Sequence, residues 1–201
     1  NNKIMNANKV LFSAIILLFI SNGLFAQTIN SVLKPSDKVV YYGIDMSASK
    51  LIGDRSSPEA VFVSTVMPGM NYTVISQPEK FDFQKYFNIS SLTEAIVSTD
   101  KVNSTVDIDN FYSNEASYNP QWDEKQLAKH IAKLSKVDKG NKGFVFIVES
   151  MNKLTEKSAV WIVVFDNKTS EILYSKRYLN DVGGFGQKNY YLKPITLLFK
   201  K

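Results

Sequence analysis

Two carboxylate residues stand inside apolar stretches of strand length, and they are the first candidates for chemistry in this sequence. Asp45 follows the apolar residues 39–44, and Glu149 ends the run 144–148. Two carboxyl groups on either side of a glycosidic bond can act as acid and base, so a glycan-acting hydrolase is one hypothesis. Solvation at a strand end, or an ion pair with a basic residue such as Arg177, is the simpler explanation.

The most glycine-dense stretch of the chain, 183–186, is the second candidate. Free backbone N–H groups at a turn before a helix can bind an anion, so a small-ligand site is another hypothesis. The stretch lacks the P-loop lysine and follows no parallel βα unit, which excludes a dinucleotide fingerprint. A tight turn with Phe185 in the core is the plainer explanation. The candidate binding residues are Gly183, Gly184, Phe185, Gly186, Asn189, Tyr190 and Asp45.

Metal and cofactor sites are not expected. His130 is the only histidine and the chain has no cysteine, so a usual zinc site cannot be built, and we interpret His130 as a surface or boundary residue. The stretch 107–110 begins like a calcium loop, but Phe111 stands where the loop needs a ligand. The absence of cysteine also excludes disulfides and thiol nucleophiles.

The first 26 residues have the layout of a secretory signal peptide. Lys9 precedes an apolar run at 10–20, polar and glycine residues follow, and Ala26 offers a small residue for cleavage. The run is short for a membrane span, so an uncleaved signal anchor is the less favoured alternative. Asn1 to Ile4 precede Met5, which makes Met5 an alternative start. A single mature domain, residues 27–201, is expected in the periplasm or on the cell surface, since a cysteine-free exported domain fits a bacterial envelope.

The fold is organised around a predicted three-strand antiparallel meander at 143–178. The stretches 143–150 and 158–165 are apolar and rich in β-branched and aromatic residues, and 171–178 alternates. Together with a first strand near 38–47, these stretches predict an α+β class. We expect an antiparallel or mixed sheet of about five strands, with helices mostly on one face and a helix at the C-terminus.

Three further elements bear on the sites. In the first strand, simple alternation places Val40, Tyr42 and Ile44 on one face and Asp45 on the other. The weakly alternating residues 92–106 predict an exposed edge strand or two short ones. The stretch 124–136 predicts an amphipathic helix with lysines facing water.

Several stretches resemble a known group of proteins. They are the glycine turn with Asn189-Tyr190-Tyr191, and the strands at 42–47, 144–149 and 161–165. In this order they are similar to a group of uncharacterised exported proteins of Gram-negative anaerobic bacteria. The resemblance covers most of the mature chain and implies a single periplasmic or surface α/β domain. It implies no activity and no catalytic residues.

The function favoured by the sequence is binding. Removal of the leader lowers the net charge from +5 to about +3 and leaves no block of like charge, so nucleic acid is not an expected partner. The sequence shows no nucleophile–base pair and no cofactor motif. We therefore predict a non-enzymatic exported domain that binds another cell-envelope component, with a protein as the partner. The membrane would be contacted only through an uncleaved signal segment.

Overall fold

The computed structural model describes residues 28–200, and within this range seven strands form one sheet. The strands are β1 (Lys38–Asp45), β2 (Lys50–Ile52), β3 (Ser91–Glu94), β4 (Tyr112–Ser113), β5 (Lys142–Asn152), β6 (Lys157–Asp166) and β7 (Ile172–Asp181). The helices are α1 (Ile29–Val32), α2 (Glu59–Val61), α3 (Met67–Ser76), α4 (Phe83–Phe87), α5 (Ile96–Asn103), α6 (Ile108–Phe111), α7 (Glu124–Lys133) and α8 (Gln187–Thr196). A π-helical segment (Phe62–Val66) joins α2 to α3, and a 3₁₀ turn (Leu197–Lys200) follows α8. The expected signal peptide, residues 1–26, lies outside the described residues.

The sheet is mostly parallel. Strands β1 to β5 run in one direction, and the pairing order is β3-β1-β5-β2-β4. Both β1 and β2 pair with the same edge of β5, at different positions along it, and β6 and β7 follow on its other edge. The predicted α+β class, with an antiparallel or mixed sheet built on the 143–178 meander, is therefore wrong, because a mostly parallel sheet with helices is an α/β fold. Strands β5, β6 and β7 are antiparallel neighbours, but they form only one flank.

Strand β5 occupies the centre of the sheet. One of its edges pairs with β1 over residues 142–147 and with β2 over residues 150–152, and the other edge pairs with β6. All of its residues after the first are buried. A strand that is covered on both faces has apolar residues in succession rather than in alternation, which explains the apolar run at 143–148.

Helices cover both faces of the sheet. The first face, marked by Tyr41, Phe144 and Ile162, packs in one hydrophobic cluster with residues of α3, α4 and α8. The second face, marked by Tyr42 and Val145, packs in a separate cluster with residues of α5 and α7. The expectation of helices mostly on one face is wrong, because a central strand that is apolar on both sides needs cover on both sides.

A bulge at Gly43 changes which side chains of β1 share a face. Tyr42 and Gly43 lie opposite the single residue Val145, and Gly43 has a left-handed φ of +101°. The bulge restarts the alternation, so Ile44 packs on the first face with Tyr41. The predicted grouping of Tyr42 with Ile44 is therefore wrong. Asp45 lies instead on the second face, the side of Tyr42.

Side-chain amides complete the hydrogen bonding of β1 beyond the end of β3. Asn71 Oδ1 accepts the N–H of Ile44 at 2.7 Å, and Asn103 Nδ2 donates to the carbonyl of Ile44 at 2.9 Å. Asn103 Oδ1 also accepts the N–H of Met46 at 2.7 Å.

Asn103 belongs to α5, so the stretch 92–106, predicted as an edge strand or two short strands, is a strand only at its start, in β3, and is helical at 96–103. Its alternation was misleading because the buried face of α5 mixes Thr99 and Asn103, which bond carbonyls of β1, with Val102, which packs in the cluster of the second face.

Within residues 28–200, no helix combines the length and the apolar character that crossing a membrane requires.

Candidate functional site

Helix α7 covers Asp45, the last residue of β1. Its N-terminus is fixed by a capping box, in which Asp123 Oδ1 accepts the N–H of Gln126 at 2.8 Å and Gln126 Oε1 accepts the N–H of Asp123 at 2.9 Å. The helix turns Leu127 and Ile131 onto the second face, where both are fully buried. His130 lies on the same side of the helix and is 6% exposed.

Asp45 forms an ion-pair contact with His130. Its Oδ2 lies 2.8 Å from His130 Nδ1, and its Oδ1 accepts the N–H of Ser47 at 2.8 Å. The ring of His130 also stacks on Trp122, with 4.9 Å between ring centroids. Burial acts to raise the pKa of Asp45, but the hydrogen bond and charge of His130, together with hydrogen bonding from Ser47, hold that pKa below its ordinary value.

Glu149 has a separate set of partners on the same face. Its Oε1 accepts the backbone N–H of Trp122 at 2.6 Å and Trp161 Nε1 at 3.0 Å, and its Oε2 accepts Arg177 Nε at 2.6 Å. Arg177 also donates from Nη2 to Asn119 Oδ1 at 2.5 Å. Glu149 therefore ties the segment that leads into α7 to strands β6 and β7.

Both carboxylates serve the fold, and neither is open to a substrate. Asp45 is 1% exposed and Glu149 is 0% exposed. Trp122, which stacks on His130 and donates its backbone N–H to Glu149, is itself 8% exposed. Each carboxyl group is bonded to a basic side chain and to further donors, so the ion pair with Arg177 explains Glu149 better than acid–base chemistry does. The interpretation of His130 as a surface or boundary residue is wrong, because the side chain is buried and contacts Asp45. The two residues lie 85 positions apart, so their spacing in the sequence does not indicate the contact. The glycine inside the β1 pattern was the available signal, since it indicates a bulge that turns Asp45 towards the second face.

A hydrogen bond to a carbonyl that Pro194 leaves free fixes the glycine turn after β7 to helix α8. Pro194 lacks an N–H, so the carbonyl of Tyr190, four residues earlier, has no partner within the helix. The N–H of Gly183 donates to this carbonyl at 3.0 Å. Asn189 Nδ2 donates to the carbonyl of Phe185 at 3.1 Å, and Gly186 has a left-handed φ of +78°. The turn thus has a defined shape.

Phe185 lies at the tip of this turn and is 96% exposed. The expectation that Phe185 fills the core is therefore wrong. A pocket of about 230 Å³ adjoins the turn and is lined by Gly183, Gly184 and Asn189 of the turn region. Its other walls come from α3, α8 and the segment before α4, at Thr73, Gln77, Lys80, Phe81, Leu192, Lys193 and Thr196.

A buried carboxylate that the sequence analysis missed holds α8 in place. Asp54 is 3% exposed, and its Oδ2 accepts the hydroxyl of Tyr191 at 2.9 Å and Gln187 Nε2 at 3.2 Å. Its Oδ1 accepts the N–H of Ser56 at 2.9 Å and Lys153 Nζ at 3.2 Å. Burial acts to raise the pKa of Asp54, but the hydrogen bonds from the hydroxyl and N–H of Ser56, from Tyr191 and from Lys153 outweigh it and bring that pKa to about 2. The start of α8, and with it the glycine turn, is anchored by this group.

The predicted binding residues fall in two places. Gly183, Gly184, Phe185, Gly186, Asn189 and Tyr190 lie together in the turn and the first part of α8. Asp45 does not join them, since α8 packs on the first face of the sheet and Asp45 lies on the second. Residues 28–200 contain no group of three or more acidic or histidine side chains placed to hold a metal ion.

Comparisons with known proteins do not show a family for this chain. No family model matches the chain, and no curated protein matches it. A crystal structure of a Helicobacter pylori protein, described as a homologue of the neuraminyllactose-binding hemagglutinin, is similar over 83% of this chain and 81% of its own, with 12% sequence identity and a TM-score of 0.26. That neighbour is named for binding, but a likeness of this size carries no argument.

Proposed function

We propose that this chain is exported and that its domain binds a protein of the cell envelope through the glycine turn. The observation that carries the proposal is the display of Phe185, which is 96% exposed at the tip of a turn held by hydrogen bonds. Aromatic side chains are enriched at protein interfaces relative to the rest of the surface. A turn that already has its bound shape loses less entropy when a partner docks on it.

The support for export comes from the sequence of the chain. The layout of residues 1–26 and the absence of cysteine support secretion into a bacterial envelope, with cleavage after Ala26. The exported domain would then meet its partner in the periplasm or at the cell surface.

A binding role accounts for the described residues better than catalysis does. The two carboxylates that suggested a hydrolase, Asp45 and Glu149, are buried and bonded to His130 and Arg177. A glycan could reach them only if Trp122 and the start of α7 moved away.

A macromolecular partner is favoured over a free small ligand because of the size of the pocket at the turn. Its volume is about 230 Å³, whereas sites that enclose a drug-sized ligand span about 300–1,000 Å³. A pocket of this size suits a single side chain, inserted by a partner that also covers Phe185.

The test is affinity capture from solubilised envelope of the host with the mature domain, residues 27–201. Wild type is compared with a Phe185→Ala, Asn189→Ala variant and with Val97→Ala, which removes a side chain that is 79% exposed on a different helix, α5. The proposal predicts one envelope protein that wild type and Val97→Ala enrich and that the double variant loses. Equal enrichment by all three proteins, with each shown to be folded, would remove the turn from the proposal.

A further inference from the structure

The pocket beside the glycine turn has an unbalanced positive charge. Lys80 and Lys193 line it, and none of the described residues around it carries a carboxyl group. Asp82 and Glu94 line a second pocket, and a third has Glu79 and Asp82 among its lysines. The pocket at the turn therefore differs from these two in that an anion would meet two ammonium groups and no carboxylate in the lining.

Both ammonium groups keep hydrogen-bonding capacity. Lys80 Nζ donates to Gln77 Oε1 at 2.8 Å, and Lys193 Nζ donates to the carbonyl of Val182 at 3.2 Å. Both acceptors are neutral, and neither lysine takes part in an ion pair among residues 28–200. An ammonium group has three N–H donors, so each lysine has further donors for a ligand.

Asp181 is influenced by the charge of Lys193 but already has a nearer partner. It contacts Lys157 directly, and Lys157 lowers the pKa of Asp181 more than Lys193 does. Asp181 therefore does not neutralise Lys193 by a contact. The positive character of the pocket remains.

The floor of the pocket is apolar. Phe81 and Leu192 are each 3% exposed and belong to its lining. Next to it, Phe185 offers an apolar surface that is almost wholly in solvent. The shape and chemistry combine an apolar floor, two cations at the wall and an exposed aromatic ring at the side.

We infer that this pocket receives an aspartate or glutamate side chain of the partner, and that the apolar residue beside it packs on Phe185. This inference rests on the proposed function and specifies the partner segment as an acidic peptide with an apolar neighbour. The methylene part of the acid contacts Phe81 and Leu192 while its carboxylate accepts hydrogen bonds from Lys80 and Lys193. The apolar floor favours an organic carboxylate over inorganic phosphate, which has no apolar part to bury.

The experiment is a titration of the labelled mature domain, followed through the backbone amide NMR signals of Gly183, Gly184 and Asn189. The probes are acetyl-Leu-Glu-Leu-amide, its isosteric counterpart acetyl-Leu-Gln-Leu-amide, and inorganic phosphate. We expect saturable shifts with the glutamate peptide, weaker binding at higher salt, and markedly weaker binding of the glutamine peptide. Lys80→Met with Lys193→Met should weaken the glutamate peptide about 2- to 30-fold, the range for two partly exposed ion pairs.

The single variant Lys80→Met serves if the double variant does not fold, because Lys80 is an exposed residue between helices and its replacement should leave the fold intact. Lys125→Met, on the exposed side of α7, is the matched control and should bind as wild type does. Equal binding of the two peptides, stronger binding of phosphate than of the glutamate peptide, or no shift at the turn with any probe would each overturn the inference. A failure here combined with successful capture by wild type but not by the Phe185→Ala, Asn189→Ala variant would leave the proposed function standing without its acidic specificity.

Discussion

Removal of Arg177 is the perturbation that tests most directly whether the buried carboxylates are structural. Arg177→Met keeps the apolar stem of the side chain and deletes the guanidinium that donates to Glu149 Oε2 at 2.6 Å. Glu149 would stay buried at 0% exposure with the N–H groups of Trp122 and Trp161 as its remaining donors. A buried carboxylate that loses its counter-ion becomes an uncompensated charge.

The magnitude follows from the geometry of this pair. Breaking a buried ion pair costs about 3–5 kcal/mol. Glu149 is fully enclosed, whereas the Arg177 side chain is 20% exposed, so water can replace part of the lost interaction. We therefore expect the free energy of unfolding to fall by about 2–4 kcal/mol. The double variant Glu149→Gln, Arg177→Met removes the charge as well, and should lose only about 1–2 kcal/mol.

The assay is urea unfolding at neutral pH, with the slope against urea checked for constancy. Arg55→Met is the matched control, because Arg55 pairs with Glu59 at the surface at 3.1 Å and stacks on Tyr112. It should cost about 1 kcal/mol or less. If Arg177→Met costs no more than this control, or if the double variant is less stable than Arg177→Met alone, Glu149 does not depend on Arg177 as its buried counter-ion.

Three further variants test other parts of the structure. Gly43→Ala should lose about 2–3 kcal/mol in thermal unfolding, because φ is +101° and the new Cβ would lie 2.8 Å from a buried amide oxygen; Gly140→Ala, with open space around it, should be near neutral. Asp54 has a pKa of about 2 in the folded protein against an ordinary 3.8. Because the folded state holds the carboxylate in its charged form, the contribution of Asp54 to the free energy of unfolding is complete above about pH 4 and is lost as the pH falls towards about 2. The stability difference between wild type and Asp54→Asn should therefore shrink by about 2 kcal/mol over that fall, and an unchanged difference would refute the contact with Tyr191 and its neighbours. Phe185→Ala should change the free energy of unfolding by less than about 0.5 kcal/mol, since the side chain is 96% exposed; a larger loss would mean that it packs in the fold.

The position of the long strands was readable from the sequence, but their directions were not. Strands β5, β6 and β7 lie where apolar and alternating stretches stand, because burial on a pleated surface selects β-branched and aromatic residues. Two of the parallel pairs join β5 to segments far earlier in the chain, the other two join β1 to β3 and β2 to β4, and β2 and β4 have only three and two residues. Such short strands have too few residues to show a pattern, so the parallel majority of the sheet stayed hidden and the predicted class was wrong.

The candidate site was predictable in part. The glycine turn and Asn189 were named from the sequence, because glycine density marks a turn with left-handed backbone. The exposure of Phe185 was not, since an aromatic residue beside three glycines is expected in the core. The pairing of Asp45 with His130 depends on the bulge at Gly43, and one extra residue in a strand reverses the direction of every later side chain.

Site-specific photo-cross-linking in the host tests whether the glycine turn contacts an envelope protein, with a photoreactive aromatic residue placed at position 185 or at position 97. Both positions are exposed, at 96% and 79%, but only Phe185 belongs to the glycine turn. If the turn is the binding site, position 185 gives one discrete adduct with an envelope protein and position 97 gives none. No adduct from position 185, or the same adducts from both positions, would contradict it.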